Sequence, residues 1–228
     1  MLYHGTSETV AKLVQQKGLL PRRLHRGKHN WKHAFEGNRE TVYLTDAYPV
    51  TYAVEAVDNV ITRTGQQERL AIIEIDSDRL DEANFVPDED VLEQGLRGRD
   101  DLSAEWTMLR RCRYYKTRLR QHASQWQWSL SLLGTCGYMG VIPPTAIRRI
   151  ALIDYVKSAH AVMFALDAII VLANYRIVGL QHKAITAWFF GDPLPELTET
   201  QEFLHRDAIT KIATLPRDGI EVIDLSGE

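Results

Sequence analysis

The sequence predicts an α+β fold, with strands concentrated early and a helical lobe at the C-terminal end. Three observations carry this reading. Short runs rich in β-branched and aromatic residues, TVYLT (41–45), RLAIIEID (69–76) and RRIALID (148–154), alternate with segments of helical spacing. Beyond Lys157 the pattern changes to apolar runs of helical period, 159–173 and 180–190. The 228 residues, 45% hydrophobic and 25% charged, can bury a core but are few for two full domains. The expected organisation is one domain over 1–157 and a helical accessory lobe over 158–228 packed on it.

Each element has a local reason. LYH (2–4) reads as a short strand, after which Thr6 or Ser7 caps a helix with Glu8 where the dipole favours an anion. Val10, Leu13 and Val14 fall at i, i+3 and i+4, and Gly18 supplies a left-handed stop. The basic segment PRRLHRGKHNWKHAFEGNRE (21–40) has no period and reads as a loop. A helix is expected from about Pro49 through Val57, and DRLDEANFVPDEDVLEQGLRGRDD (78–101) reads as a turn-rich acidic loop. Apolar positions from Trp106 to Leu133 recur at near-helical spacing, which predicts one long helix over 103–133. GTCGYMGVI (134–142) reads as a strand closed by Pro143 and Pro144, and GIEVIDL (219–225) can form a last strand.

A net charge of -3 argues against bulk attraction to nucleic acid and leaves local patches as the only electrostatic route to it. Cys112 and Cys136 have no metal-ligand spacing, so no metal is expected. The start has no basic region followed by an apolar one, and AHAVMFALDAIIVLA (159–173) falls short of the ~20 residues of a membrane helix and is interrupted by Asp167. The expectation is a cytoplasmic protein with no membrane partner.

LYHGT, an amphipathic helix, GLLPR, then VYLTD and a following TYA resemble the ADP-ribosyltransferase superfamily, in its poly-ADP-ribose-polymerase-like and DarT-like forms. In that superfamily a first strand carries H-G-T or H-G-S, a short helix ends in G-L, a later strand carries a tyrosine, and the next helix carries a second. His4, Gly5, Thr6, Gly18, Leu19, Tyr43 and Tyr52 match in order and approximate spacing, and GVIPPTAIRRIALID resembles the end of the fold. The resemblance covers roughly residues 2–154. It implies split antiparallel sheets with flanking helices, and NAD as substrate with no metal.

The chemistry accounts for these residue types. Transfer of ADP-ribose breaks the bond between ribose and nicotinamide through a transition state of oxocarbenium character, as in glycoside hydrolysis. Aromatic faces suit the cationic nicotinamide ring, and the resemblance gives Tyr43 and Tyr52 that bracketing role. It also gives the backbone of Gly5 the carboxamide, His4 a ribose hydroxyl, and Thr6 a further polar contact. Arg22, with Arg23 as its alternative, can meet the pyrophosphate with a guanidinium fork. Taken singly, His-Gly-Thr also reads as turn and cap chemistry, Tyr43 as strand packing, and the arginines as solvated.

One departure from the family pattern stands out. Many relatives carry a glutamate on the strand before the final proline turn, and here GTCGYMGVIPP has no carboxylate. Counting back from Pro143 puts the equivalent position near Thr135, with Cys136 and Gly137 as neighbours if the register slips, and Gln125 and Gln127 are the nearest substitutes, able to hydrogen-bond but not to act as a general base. Gln127 and Thr135 therefore join His4 and Tyr43 as candidate catalytic positions. Glu36, Glu105 and the PDED run (87–90) are alternative carboxylates, although loop acids as a rule face solvent.

RRCRYYKTRLR (110–120) holds six basic side chains and no acid, with SQWQW shortly after. Arginines among aromatics neutralise phosphates and stack bases, which makes Arg110, Arg111, Arg113, Arg118 and Arg120 candidate nucleic-acid contacts; a solvated helix face is the alternative. The expected function is single ADP-ribosyl transfer from NAD to a macromolecule, RNA or single-stranded DNA before protein, in a toxin or phage–host conflict effector. A catalytically silent NAD or ADP-ribose binding module and an NAD glycohydrolase are the alternatives.

Overall fold

The computed structural model describes residues 1–24, 37–167 and 175–227. Seven strands, β1 (Leu2–Ser7), β2 (Thr41–Thr45), β3 (Leu70–Ile75), β4 (Phe85–Pro87), β5 (Thr135–Met139), β6 (Ile147–Ile153) and β7 (Ile220–Asp224), form one antiparallel sheet in the order β4-β5-β2-β1-β3-β6-β7. Eight helices lie around it among the described residues: α1 (Glu8–Lys17), α2 (Pro49–Thr64), α3 (Glu89–Leu96), α4 (Met108–Lys116), α5 (Trp126–Leu133), α6 (Ala159–Asp167), α7 (Tyr175–Phe190) and α8 (Glu199–Ala213). None is long and apolar enough to cross a membrane.

Alternation along the strands gives the sheet two apolar faces. On one, Leu2, Ile73, Leu44, Cys136 and Ile150 pack against Ala11 and Val14 of α1, with Trp126 and Leu130 of α5 at the margin. On the other, Leu70, Ile72, Ala151 and Ile153 pack against Val50, Ala53 and Val57 of α2 and the apolar sides of α6 and α7. α1 stops at Gly18, whose φ of 75° lies in the region glycine favours and whose Cβ, if present, would stand 2.1 Å from the Ile142 carbonyl oxygen. Leu19 then bridges to Ile142 and ties the end of α1 to the turn after β5.

Several expectations are corrected. β1 runs on to Ser7, because Thr6 and Ser7 pair with Ala71 and Leu70 of β3; Ser7 precedes α1 but its side chain makes no cap bond. The stretch 103–133 is not one helix. It breaks after α4, where the Thr117 hydroxyl donates to the Tyr114 carbonyl at 2.9 Å and the Arg118 N–H donates to Tyr115 at 2.7 Å, tightening the chain into a 3-10 segment before α5. The acidic loop contains β4 and α3, capped by the Asp88 carboxylate, which accepts from the Asp90 N–H at 2.9 Å. α6 and α7 cover the α2 face, and β7 pairs with β6 from Arg149↔Asp224 to Ile153↔Ile220.

Candidate functional site

β1 meets β2 at one paired position, Tyr3 with Thr45, whereas β1 pairs with β3, and β2 with β5, along their full lengths. A seam therefore divides the sheet into two halves. The ladder sets the direction of the backbone groups at this seam. The Glu8 N–H donates to the Arg69 carbonyl at 3.1 Å. Antiparallel rungs alternate, so Thr6, His4 and Leu2 exchange bonds with β3. The N–H and C=O of Gly5 then turn toward β2, two residues past the one β1–β2 rung.

His4 reaches across this seam. Its Nδ1 lies 2.9 Å from the Tyr43 carbonyl oxygen, which can only accept, so Nδ1 carries the proton. Gly5 is where α2 touches the sheet. A Cβ there would lie 2.0 Å from the Pro49 carbonyl oxygen and 2.9 Å from the Cβ of Tyr52. Glycine lets the helix rest on the strand, and this sets Tyr52 beside the seam. The turn into α2 hangs on Thr45, whose buried hydroxyl donates to Gly134 at 2.6 Å and accepts from the N–H groups of Ala47 and Tyr48.

Tyr43 shares a sheet face with Thr45. Its hydroxyl donates to the Glu89 carboxylate, with the oxygens at 2.6 and 2.8 Å, and accepts from the Asn38 N–H at 2.7 Å. Gly37 lies against its ring, and a Cβ there would fall 2.7 Å from Cε2. Two bonds hold this cover: Arg22 donates to the Gly37 carbonyl at 2.9 Å, and the Asn38 side-chain amide donates to the Lys116 carbonyl at 2.7 Å. Burial, then the Glu89 and Asp88 charges, push the Tyr43 phenol well above its ordinary range.

The acids come from the start of α3. Asp88 is tied to Thr135 on β5 through Ser129. Its N–H donates to the Ser129 hydroxyl at 3.0 Å, which donates to the Thr135 carbonyl at 2.7 Å. Burial, then Glu89 and Asp90, push the Asp88 carboxyl well above the usual carboxylate range. Glu89 is raised by burial against the lowering pull of the Tyr43 hydroxyl. Burial and Asp88 also raise the Tyr52 phenol.

The structure thus gathers His4, Gly5, Tyr43, Tyr52 and Thr135 around one seam. Thr6 is buried in the β1–β3 ladder opposite Ala71. Arg22 is spent on positioning the cover over Tyr43. Gln127 is exposed on α5, and Glu105 is exposed as well. Glu36 lies outside the described residues. Asp88 and Glu89 are the functional candidates that the solvent-facing rule for loop acids passed over. Their signal was the PDED cap followed by VLEQ, a helix start that brings acids in with its first turn.

The basic stretch divides. Arg113 and Arg120 are exposed, the exposed Arg110 stacks its guanidinium 4.1 Å from the centre of the Trp106 ring, and Arg118 lies 3.9 Å from that of Tyr114. Arg111 departs from the expectation: it is 2% exposed, with its guanidinium on Asp100 at 2.5 Å and 3.6 Å from Glu93, so its charge is consumed inside the protein. Arg120 and Arg23 share a depression of about 150 Å³ with Glu40 and Gly140, at the ends of β2 and β5 away from Thr45 and Thr135. Neither the family models nor the curated proteins compared with the chain match it.

Proposed function

We propose that the chain is an NAD-dependent ADP-ribosyltransferase that places a single ADP-ribose on a macromolecule, with nucleic acid favoured over protein. One observation carries this reading: the seam between β1 and β2, into which Gly5 turns an amide donor and a carbonyl acceptor while Tyr43 and Tyr52 stand beside it. A carboxamide offers one acceptor and one donor group, which suits that backbone pair. Aromatic rings at the sides suit a planar cation. His4, held across the seam, then lies within reach of the adjoining ribose.

The test is incubation of the full chain with adenine-labelled NAD and separate RNA, single-stranded DNA and protein acceptors. Label should pass to one nucleic acid. His4→Ala and Tyr43→Ala, checked for folding, should each lower transfer by about 100-fold, the scale of losing a group that orients or stabilises the reacting centre. Labelled ADP-ribose released without labelled acceptor would make the chain a glycohydrolase, and NAD bound without nicotinamide release would make it a binding module. The absence of an acid on β5 is the observation that favours the binding module.

Charge supports a nucleic-acid acceptor. Arg110, Arg113 and Arg120 are exposed, and Arg110 lies on a tryptophan ring. Changing all three to alanine should weaken single-stranded nucleic-acid binding by about tenfold or more at moderate salt. It should also flatten the slope of affinity against salt, because each phosphate contact releases counterions. Unchanged affinity and slope in a filter-binding series would remove these arginines from the acceptor site.

A further inference from the structure

The family pattern leaves this site without an acid on β5, and the position concerned is Thr135. The chain brings one there by another route. α3 begins with its N-cap beside β5, and the cap residue is Asp88, which follows Pro87, the partner of Cys136 on β5. The Ser129 hydroxyl fixes the join, accepting from the Asp88 N–H and donating to the Thr135 carbonyl. Tyr43 lies across from Gly137 on β5, on the sheet face it shares with Thr135, and the Asp88 charge helps raise both its phenol and that of Tyr52 on α2. The next residue, Glu89, is committed to the Tyr43 hydroxyl.

We propose that Asp88 is the catalytic carboxylate of this site, delivered from the N-cap of α3 and tied beside Thr135 by Ser129 in place of an acid on β5, with Glu89 as a positioning residue for Tyr43. The proposal rests on the ADP-ribosyltransferase reading above. In the reaction the bond between ribose C1′ and the nicotinamide nitrogen breaks, and its electron pair leaves with nicotinamide, which departs neutral. Positive charge develops across C1′ and the ring oxygen, where an adjacent carboxylate stabilises it. An acceptor hydroxyl or ring nitrogen bonds to C1′, and the proton it loses passes to Asp88. A carboxyl raised by burial is a stronger base than an ordinary one, which suits that proton transfer.

The titratable groups facing Asp88 are Glu89 and Asp90 on α3, Tyr43 on β2, Tyr52 on α2 and Cys136 on β5. The phenols and the thiol are pushed upward and stay neutral through the acid range, so only the three acids titrate there. Asp88→Asn keeps the side-chain oxygen that caps α3, since asparagine caps as well as aspartate, and it removes the half-buried charge. The sign of the stability effect follows. A carboxyl raised in the fold contributes stability below its unfolded value near ~4, and loses it as pH rises through the folded value. At pH 7 the variant should therefore melt no lower than the parent.

The experiment measures NAD affinity, nicotinamide release and its pH profile for the full chain, Asp88→Asn and Glu89→Gln. Asp88→Asn should bind NAD within about twofold of the parent, lose about 100-fold or more in release, and lose the acid limb of the profile. Glu89→Gln should keep that limb. Release within threefold of the parent in Asp88→Asn, or a limb lost in Glu89→Gln instead, overturns the assignment while leaving the transferase reading in place. A parent chain that neither binds NAD nor releases nicotinamide overturns both.

Discussion

Gly5→Ala should destabilise the protein by on the order of 3 kcal/mol, lowering the melting temperature by roughly 6–12 °C for a chain of this size. The added methyl would stand 2.0 Å from the Pro49 carbonyl oxygen and 2.5 Å from the Ala53 nitrogen. Both are backbone atoms of α2, so no side chain can swing aside, and the helix has to lift off β1. The same shift moves Tyr52 from the seam, so NAD binding should fall along with stability. Thermal melts and NAD titration on the same preparation check the pair of effects. A fully stable Gly5→Ala protein would mean that α2 does not rest on β1 as described.

Arg149→Met should cost about 3–5 kcal/mol, because it strands a buried acid. Arg149 on β6 makes a two-pronged contact with Glu74 at 2.6 and 2.7 Å and another with Asp192 at 2.7 Å, and its guanidinium lies 4.8 Å from the centre of the Phe190 ring. Glu74 is 2% exposed. Its bond to Arg149 joins β3 to β6, and Asp192 extends the link to the end of α7. Adding Glu74→Gln to Arg149→Met should recover much of the loss, since a neutral amide is cheaper to bury than an unpaired carboxylate. Denaturant unfolding of the four proteins in the double-mutant cycle measures the coupling.

What the sequence made legible was the periodic part. β2, β3 and β6 were expected to within a residue or two at each end, since alternating or continuous apolar runs announce strands without help from distant partners. β4 was hidden by its length: three residues cannot alternate enough to be seen, and Phe85 and Val86 belong to the sheet only because β5 lies beside them. The charged segments misled for a different reason. The acids of 88–100 and the basic side chains of 110–120 each read as a solvated face when taken alone. In the fold α3 and α4 lie together, and Glu93, 0% exposed, meets Arg111 and Arg97. Each run held part of the other's neutralisation, and no window along the chain covers both.

The candidate site divides along the same line. His4, Gly5 and Tyr43 were readable because a motif and its order fixed them, and the fold brought them to one seam. The acids of the PDED run stood only among several alternatives, because their place is set by contacts between elements, with Asp88 tied through Ser129 to Thr135. Local propensity explains the cap, but only tertiary packing explains what the cap touches.

β7 has a consequence for how the protein behaves among its own copies. A sheet ends in strands with one bare side, and a bare apolar strand recruits others. β6 is such a strand, with Ile150 and Ile153 fully buried, and β7 lies over its open side with Glu221 and Asp224 along its length. At the opposite edge β4 is only three residues long and ends in Pro87, which has no N–H to offer. Both margins of the sheet therefore resist stacking onto a neighbour. The last strand works as a guard against aggregation, which is a reason for the chain to return to the sheet after α8.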